Sequence, residues 1–219
     1  MRTILCYGDS NTYGCVPKRY DPESLVMPGD NRYNRDERWP GVLNNELCSD
    51  FFIIEEGLCG RTTVLDDPIA GKFVSGKRYL LTCLLTHAPI DLVIIMLGSN
   101  DLQRKYSFTA YDIASGIAVL IEITKKSASG PGGEKPKILI ICPPPIGKTV
   151  YFPEILEGAY EKSTKLSIYY KLFSDRSGCY FLNAGEIIKS SDIDGLHFDK
   201  SGHLKLGRIV AKKVKGIFK

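Results

Sequence analysis

Thr3-Ile4-Leu5-Cys6-Tyr7 is a short run of strand-forming residues, apolar almost throughout, that stops at Gly8-Asp9-Ser10-Asn11-Thr12. Four more runs of this kind follow at Phe52–Glu56, Leu92–Leu97, Ile138–Cys142 and Cys179–Leu182, each ending in small or polar residues. Apolar character that is continuous rather than alternating suits strands covered on both faces, as in a parallel sheet. The stretches between them carry helical spacing. Pro40 in a first helical turn introduces Val42, Leu43 and Leu47. Ala110, Ala114, Ile117 and Ile121 form one apolar stripe, and Ala159, Ser163, Leu166, Tyr170 and Phe173 form another; a last helix begins near Ser201. Strand and helix alternate, which predicts a doubly wound, three-layer α/β/α sandwich. Residues 127–136 (SASGPGGEKP) read as a surface connection between helix and strand. No internal repeat or low-complexity tract divides the chain, so residues 1–219 are expected to form a single domain.

Composition narrows the class. A chain of 219 residues with 43% hydrophobic and 25% charged residues is too apolar for disorder and too charged for a membrane span. At this length roughly 70% of the unfolded surface is buried, so the core needs no covalent staples. The seven cysteines, at 6, 15, 48, 59, 83, 142 and 179, form no CxxC pair, which argues against a zinc ribbon or a thioredoxin-type site. Cys6, Cys142 and Cys179 sit in or beside apolar runs, where a free cysteine packs as a small hydrophobe. The first apolar run is too short for a signal-peptide core, and a reducing, cytoplasmic setting is expected. The net charge of +4 is a weak excess, densest at Lys205, Arg208, Lys212, Lys213, Lys215 and Lys219. Leu206, Val210, Val214 and Ile217 keep helical spacing among them, so these cations form the wet face of a helix. Without interleaved aromatics they do not make a nucleic-acid surface.

The chemistry gathers at strand ends, where open α/β sheets bind ligands. Gly8-Asp9-Ser10 follows the first strand, Leu58-Cys59-Gly60-Arg61-Thr62 the second and Gly98-Ser99-Asn100-Asp101 the third; Asp194-Gly195-Leu196-His197 precedes the last helix. A serine hydroxyl attacks well only when a base takes its proton, and an imidazole can do so near neutral pH. A carboxylate on the other ring nitrogen fixes the tautomer, and the D-x-x-H spacing of Asp194 and His197 lets a tight turn provide this. A tetrahedral intermediate needs preorganised donors, for which the Ser10 N–H, the Gly60 N–H and the Asn100 amide are candidates. Each motif also has a plain structural reading. Gly-Asp-Ser is common turn and cap chemistry, Asn100-Asp101 can cap a helix or brace the site, and Asp194-Gly195 can be a turn.

Four such blocks in this order, spanning residues 8 to 197, resemble the SGNH (GDSL) hydrolase family. The resemblance implies a flavodoxin-like fold with a five-stranded parallel sheet, no cofactor and no metal. It implies Ser10 as nucleophile, Gly60 and Asn100 as oxyanion donors with the Ser10 amide, and His197 as base with Asp194 as its partner. The stretch Glu55–Thr63, followed by Asp66-Asp67-Pro68, is similar to the aryl-esterase/acyltransferase branch, which cleaves small acyl esters and can pass the acyl group to alcohols. That branch assembles into oligomers, and the segment from Asp66 to His87 can supply such contacts. Asn11 stands where the family commonly has leucine. With Asp9, Arg61, Pro145 and Ile146 it is a candidate for the substrate pocket, Cys142-Pro143-Pro144-Pro145-Ile146 offering a stiff apolar wall or simply a strand stop.

Other classes fit less well. Gly8–Thr12 is not the G-x-S-x-G elbow of α/β-hydrolases, nor does Gly8 open a G-x-G-x-x-G dinucleotide loop. Three histidines without H-E-x-x-H make a metal hydrolase a poor fit. A carbohydrate O-deacetylase of the same fold is the nearest alternative, and a non-catalytic acyl- or carbohydrate-binding protein the next. His203, in the last helix, is a competing base but has no carboxylate at turn spacing and reads as packing; His87 reads as a helix terminus, and Trp39 as a packing anchor.

Overall fold

The computed structural model describes residues 1–18, 31–148 and 153–219. The five apolar runs become strands β1 (Arg2–Gly8), β2 (Phe51–Gly57), β3 (Leu92–Met96), β4 (Lys137–Cys142) and β5 (Tyr180–Asn183). All neighbours pair in parallel, in the order β2-β1-β3-β4-β5. The helices are α1 (Ser10–Tyr13), α2 (Trp39–Leu47), α3 (Gly76–Thr86), α4 (Ala110–Lys126), α5 (Ala159–Arg176) and α6 (Lys200–Ile217). No helix among the described residues is long and apolar enough to cross a membrane.

Alternation within each strand sends side chains to two separate cores. Leu5, Tyr7, Val93, Ile95, Ile138 and Ile140 pack with α3, α4 and α5. Ile4, Cys6, Leu92, Ile94, Leu139 and Ile141 pack with α2 and α6. Both faces of the sheet are therefore covered, which is why few polar positions interrupt the middle of its strands. α4 starts in a capping box between Thr109 and Asp112, and α6 starts where the Asp199 carboxylate accepts the Gly202 N–H at 2.6 Å. The basic residues of the last helix flank a buried stripe of Leu206, Val210, Val214 and Ile217.

One expectation needs correction. Residues 127–136 are only half a surface connection. Ser127 and Ser129 are buried with their hydroxyls 2.8 Å apart, and the Ser129 carbonyl accepts the Ile90 N–H at 2.7 Å. Small hydroxyl side chains can bond locally and so tuck beneath the start of β3, a contact that a Ser/Gly/Pro-rich composition conceals.

The register sets up the site. Gly8 pairs with Gly57 on one side and Met96 on the other, so β1, β2 and β3 end level with each other. The chain turns one way from β1 to β2 and the other way to β3, and such a switch point leaves a crevice at the carboxyl ends of the strands. A side chain on Gly8 would collide with Thr12 Oγ1 and the Met96 carbonyl, which is how the chain beyond β1 can pack so tightly there.

Candidate active site

Ser10 is the first residue of α1, a single turn capped by Asp9. Asp9 Oδ1 accepts the Asn11 N–H at 2.9 Å. Burial pushes the Asp9 carboxyl up to about 6 against that hydrogen bond and the nearby charges of His197 and Arg61. Ser10 Oγ lies 3.0 Å from His197 Nε2, and His197 Nδ1 lies 2.8 Å from Asp194 Oδ2. The other carboxylate oxygen of Asp194 accepts the N–H groups of Leu196 and His197, each at 2.9 Å. Burial raises the Asp194 carboxyl, but the His197 hydrogen bond and charge and the two N–H groups outweigh it and hold the group below its ordinary value. Gly195 supplies the positive φ of 73° that this tight turn requires.

Asn11 ties the two halves of this arrangement together. Its Oδ1 accepts the Phe198 N–H at 3.0 Å, and its Nδ2 donates to the Leu196 carbonyl at 3.3 Å, gripping the chain on both sides of His197. It is 2% exposed, so its polar atoms serve the His197 loop and not an open pocket. Nothing in the local sequence marks this role, because the partners lie 185 and 187 residues away.

The donor candidates sit on neighbouring loops. Gly60 adopts φ 78°, and no described residue accepts the N–H of Ser10 or of Gly60. Asn100 Nδ2 donates to the Arg61 carbonyl at 3.0 Å, fixing the amide beside the Gly60 loop. Beneath it Asp101 is fully buried and accepts the Thr63 N–H at 3.0 Å together with the Thr63 hydroxyl. Burial raises the Asp101 carboxyl to about 6, against the Thr63 hydrogen bonds and with help from the charge of Asp9. A carboxyl raised on folding favours the folded state when protonated. Its contribution is present below about pH 4 and lost as pH rises through about 6. The melting temperature of Asp101→Asn relative to wild type should therefore improve between about pH 4 and 7. A pH-independent difference would contradict the raised ionisation.

The remaining sequence candidates have settled places. Arg61 is 3% exposed; its guanidinium donates to the carbonyls of Gly8 and Glu56 and lies 4.2 Å from the Tyr7 ring centroid. Pro145 is partly exposed and its carbonyl accepts the Ser190 hydroxyl at 3.1 Å, while Ile146 is buried with its N–H on Ser163 Oγ at 3.2 Å. His203 is buried between Tyr33 and Phe198, and Trp39 is fully buried against it. His87 closes α3, with its N–H on the Cys83 carbonyl and its Nε2 3.0 Å from Glu56 Oε1. Among the described residues, Glu56, Cys83 and His87 are the side chains that could share a metal, their ligand atoms lying within 4.8 Å of one another. A hydroxyl, an imidazole and a carboxylate in series, flanked by unengaged N–H groups, can perform acyl transfer.

Residues 6–205 match the GDSL-like lipase/acylhydrolase family. The chain is similar to an aryl esterase from M. smegmatis, with 39% identity over 99% of both chains and a TM-score of 0.91. It is equally similar to a carbohydrate acetylesterase from Sinorhizobium meliloti, with 38% identity over 100% of both chains and a TM-score of 0.91. No curated protein matches it.

Proposed function

We propose that this chain, which belongs to the GDSL-like lipase/acylhydrolase family, hydrolyses small carboxylic esters through an acyl-enzyme on Ser10. That it is an ester-hydrolysing enzyme follows from its family and its relatives; the mechanism and substrate are our reading. The observation that carries the mechanism is the unbroken hydrogen-bonded series Ser10 Oγ, His197, Asp194. Ser10 Oγ attacks the ester carbonyl as its proton passes to His197 Nε2, and Asp194 stabilises the imidazolium that forms. The carbonyl oxygen becomes an oxyanion, met by the N–H groups of Ser10 and Gly60 and the Asn100 amide. Collapse expels the alcohol, which takes the proton from Nε2, and leaves an ester on Ser10. Water, activated by the same nitrogen, then releases the acid.

An alcohol can replace water in the second half, and we read acyl transfer as part of the activity. The resemblance to the acyltransferase branch supports it, as does the buried apolar chain at Pro143, Pro144 and Ile146, which can restrict water. A carbohydrate O-deacetylase is the second reading, favoured by the Sinorhizobium meliloti relative. We further read the protein as cytoplasmic and homo-oligomeric. The odd cysteine count supports the first, and exposed Ile69, Phe73, Leu81 and Leu85 support the second.

A fluorophosphonate probe tests the mechanism. Intact mass should show one adduct, mapping to Ser10, with activity lost in proportion. Labelling of another serine, or none in an active sample, would overturn the reading. With unlabelled enzyme, aryl acetate and acetylated sugars offered with an alcohol acceptor should give the transesterified product; hydrolysis alone across many acceptors removes the transfer reading.

A further inference from the structure

Two cysteines that the proposed mechanism does not use meet beside it. Cys15 Sγ and Cys59 Sγ lie 3.0 Å apart, inside the contact distance of two unbonded sulfur atoms, although 44 residues separate them in sequence. Both are free thiols. Cys15 follows Gly14, the residue that caps α1, and its N–H donates to the Ser10 carbonyl at 3.0 Å. Cys59 immediately precedes Gly60. The sulfur contact thus joins the segment that carries the hydroxyl to the loop that carries an oxyanion N–H. The other five cysteines form no such pair; Cys48 is exposed and Cys6, Cys83 and Cys142 are buried.

We infer that Cys15 and Cys59 are a peroxide-responsive dithiol, and that their oxidation to a disulfide reversibly shuts the Ser10 site. The two thiols are unequal. Cys59 is partly exposed, whereas Cys15 is 6% exposed. The two sulfurs share one hydrogen bond, in which either can donate, and the charge of His197 nearby favours a thiolate on Cys59. Cys59, the sulfur that solvent can reach, is the attacking one. Its thiolate attacks one peroxide oxygen and the O–O bond breaks, giving a sulfenic acid on Cys59 and hydroxide. Sulfur loses two electrons and peroxide gains them. Cys15 gives up its proton and attacks the sulfenic sulfur; the S–S bond forms as the S–O bond breaks and water leaves. The sum is two thiols and one hydrogen peroxide to one disulfide and two waters.

Formation of the bond must shorten the sulfur separation to about 2.05 Å, drawing the Cys59–Gly60 loop and the end of α1 together. Displacements of about 1 Å at a preorganised site cost roughly 100-fold in rate, so even partial relaxation should lower kcat by about tenfold or more. The effect on activity rests on the Ser10 reading, whereas the disulfide itself does not.

The test uses the full-length protein, reduced and then treated with about one equivalent of hydrogen peroxide. Peptide mapping should find Cys15 joined to Cys59, fluorophosphonate labelling of Ser10 should slow about tenfold or more, and dithiothreitol should restore it. Cys15→Ser should keep the activity of the reduced enzyme and resist dithiothreitol-reversible inhibition. Oxidation confined to Cys48, a Cys15–Cys59 disulfide without slower labelling, or equal reversible inhibition in Cys15→Ser would overturn the inference. Should the Ser variant fold poorly, the mapping and labelling of wild type decide alone. A reduced protein that is active but unlabelled at Ser10 would instead count against the catalytic reading, and disulfide mapping would still report on the dithiol.

Discussion

His197→Ala should lower kcat by about 1000-fold or more, while His203→Gln should leave it within about threefold. Both histidines lie near the start of α6, and their surroundings assign them opposite tasks. His197 has one ring nitrogen on Asp194 and the other on Ser10, so a proton arriving from the hydroxyl meets a positioned, charge-balanced base. His203 is fully buried, and its Nδ1 accepts the Trp39 N–H at 3.2 Å. The rings of Tyr33 and Phe198 stand edge-on to it at 5.2 and 5.6 Å. Burial above all, with the charge of His197, depresses its pKa to about 3, so it stays neutral and takes no proton at working pH. Its loss is a folding matter: an unpartnered Trp39 N–H costs about 1–3 kcal/mol, visible in thermal unfolding. Steady-state turnover of an aryl acetate by both variants checks the assignment. An inactive His203→Gln beside a competent His197→Ala would require the site to be rebuilt around α6.

These two histidines also show what local sequence carries. Asp194 and His197 are three residues apart, and a turn closing over that distance can be read from the chain. Likewise each strand announces itself by an apolar run, because both faces of a parallel sheet are covered and few polar positions interrupt it. The resemblance to a family joined the four motif blocks; no spacing argument alone brings Ser10 to a base 187 residues away.

Contacts between distant loops were not legible, and they changed the meaning of several residues. Arg61 reads as a pocket residue, yet its guanidinium is turned to the carbonyls of Gly8 and Glu56. Asn11 reads as an exception at a pocket position, yet its amide grips Leu196 and Phe198. Cys15 and Cys59 belong to no spacing motif and meet only because β1 and β2 pair in register from Arg2 to Gly8. Periodicity tells which face of an element is buried. It does not tell which side chains from two loops meet above a sheet.

Asn100→Ala should reduce kcat by about 100-fold or more with little change in KM. Asn100 Nδ2 carries two N–H bonds. One is engaged by the Arg61 carbonyl at 3.0 Å, which holds the amide at 7% exposure beside the Gly60 loop and leaves the second for a ligand oxygen. A neutral ester carbonyl gains little from that donor, whereas the oxyanion of the tetrahedral intermediate gains a charge-assisted bond in a site already arranged for it. The loss should therefore fall on the transition state and leave substrate binding nearly intact. A purely structural Asn100 predicts a different pattern, because release of the Arg61 carbonyl would loosen the loop and raise KM along with the fall in kcat. Asn100→Asp sharpens the distinction. A carboxylate of the same shape cannot donate to the oxyanion and repels its charge, so this variant should be at least as slow as Asn100→Ala at neutral pH. Turnover within about threefold of wild type in Asn100→Ala, or a defect carried by KM alone, would remove Asn100 from the oxyanion site and leave the N–H groups of Ser10 and Gly60 to hold the charge.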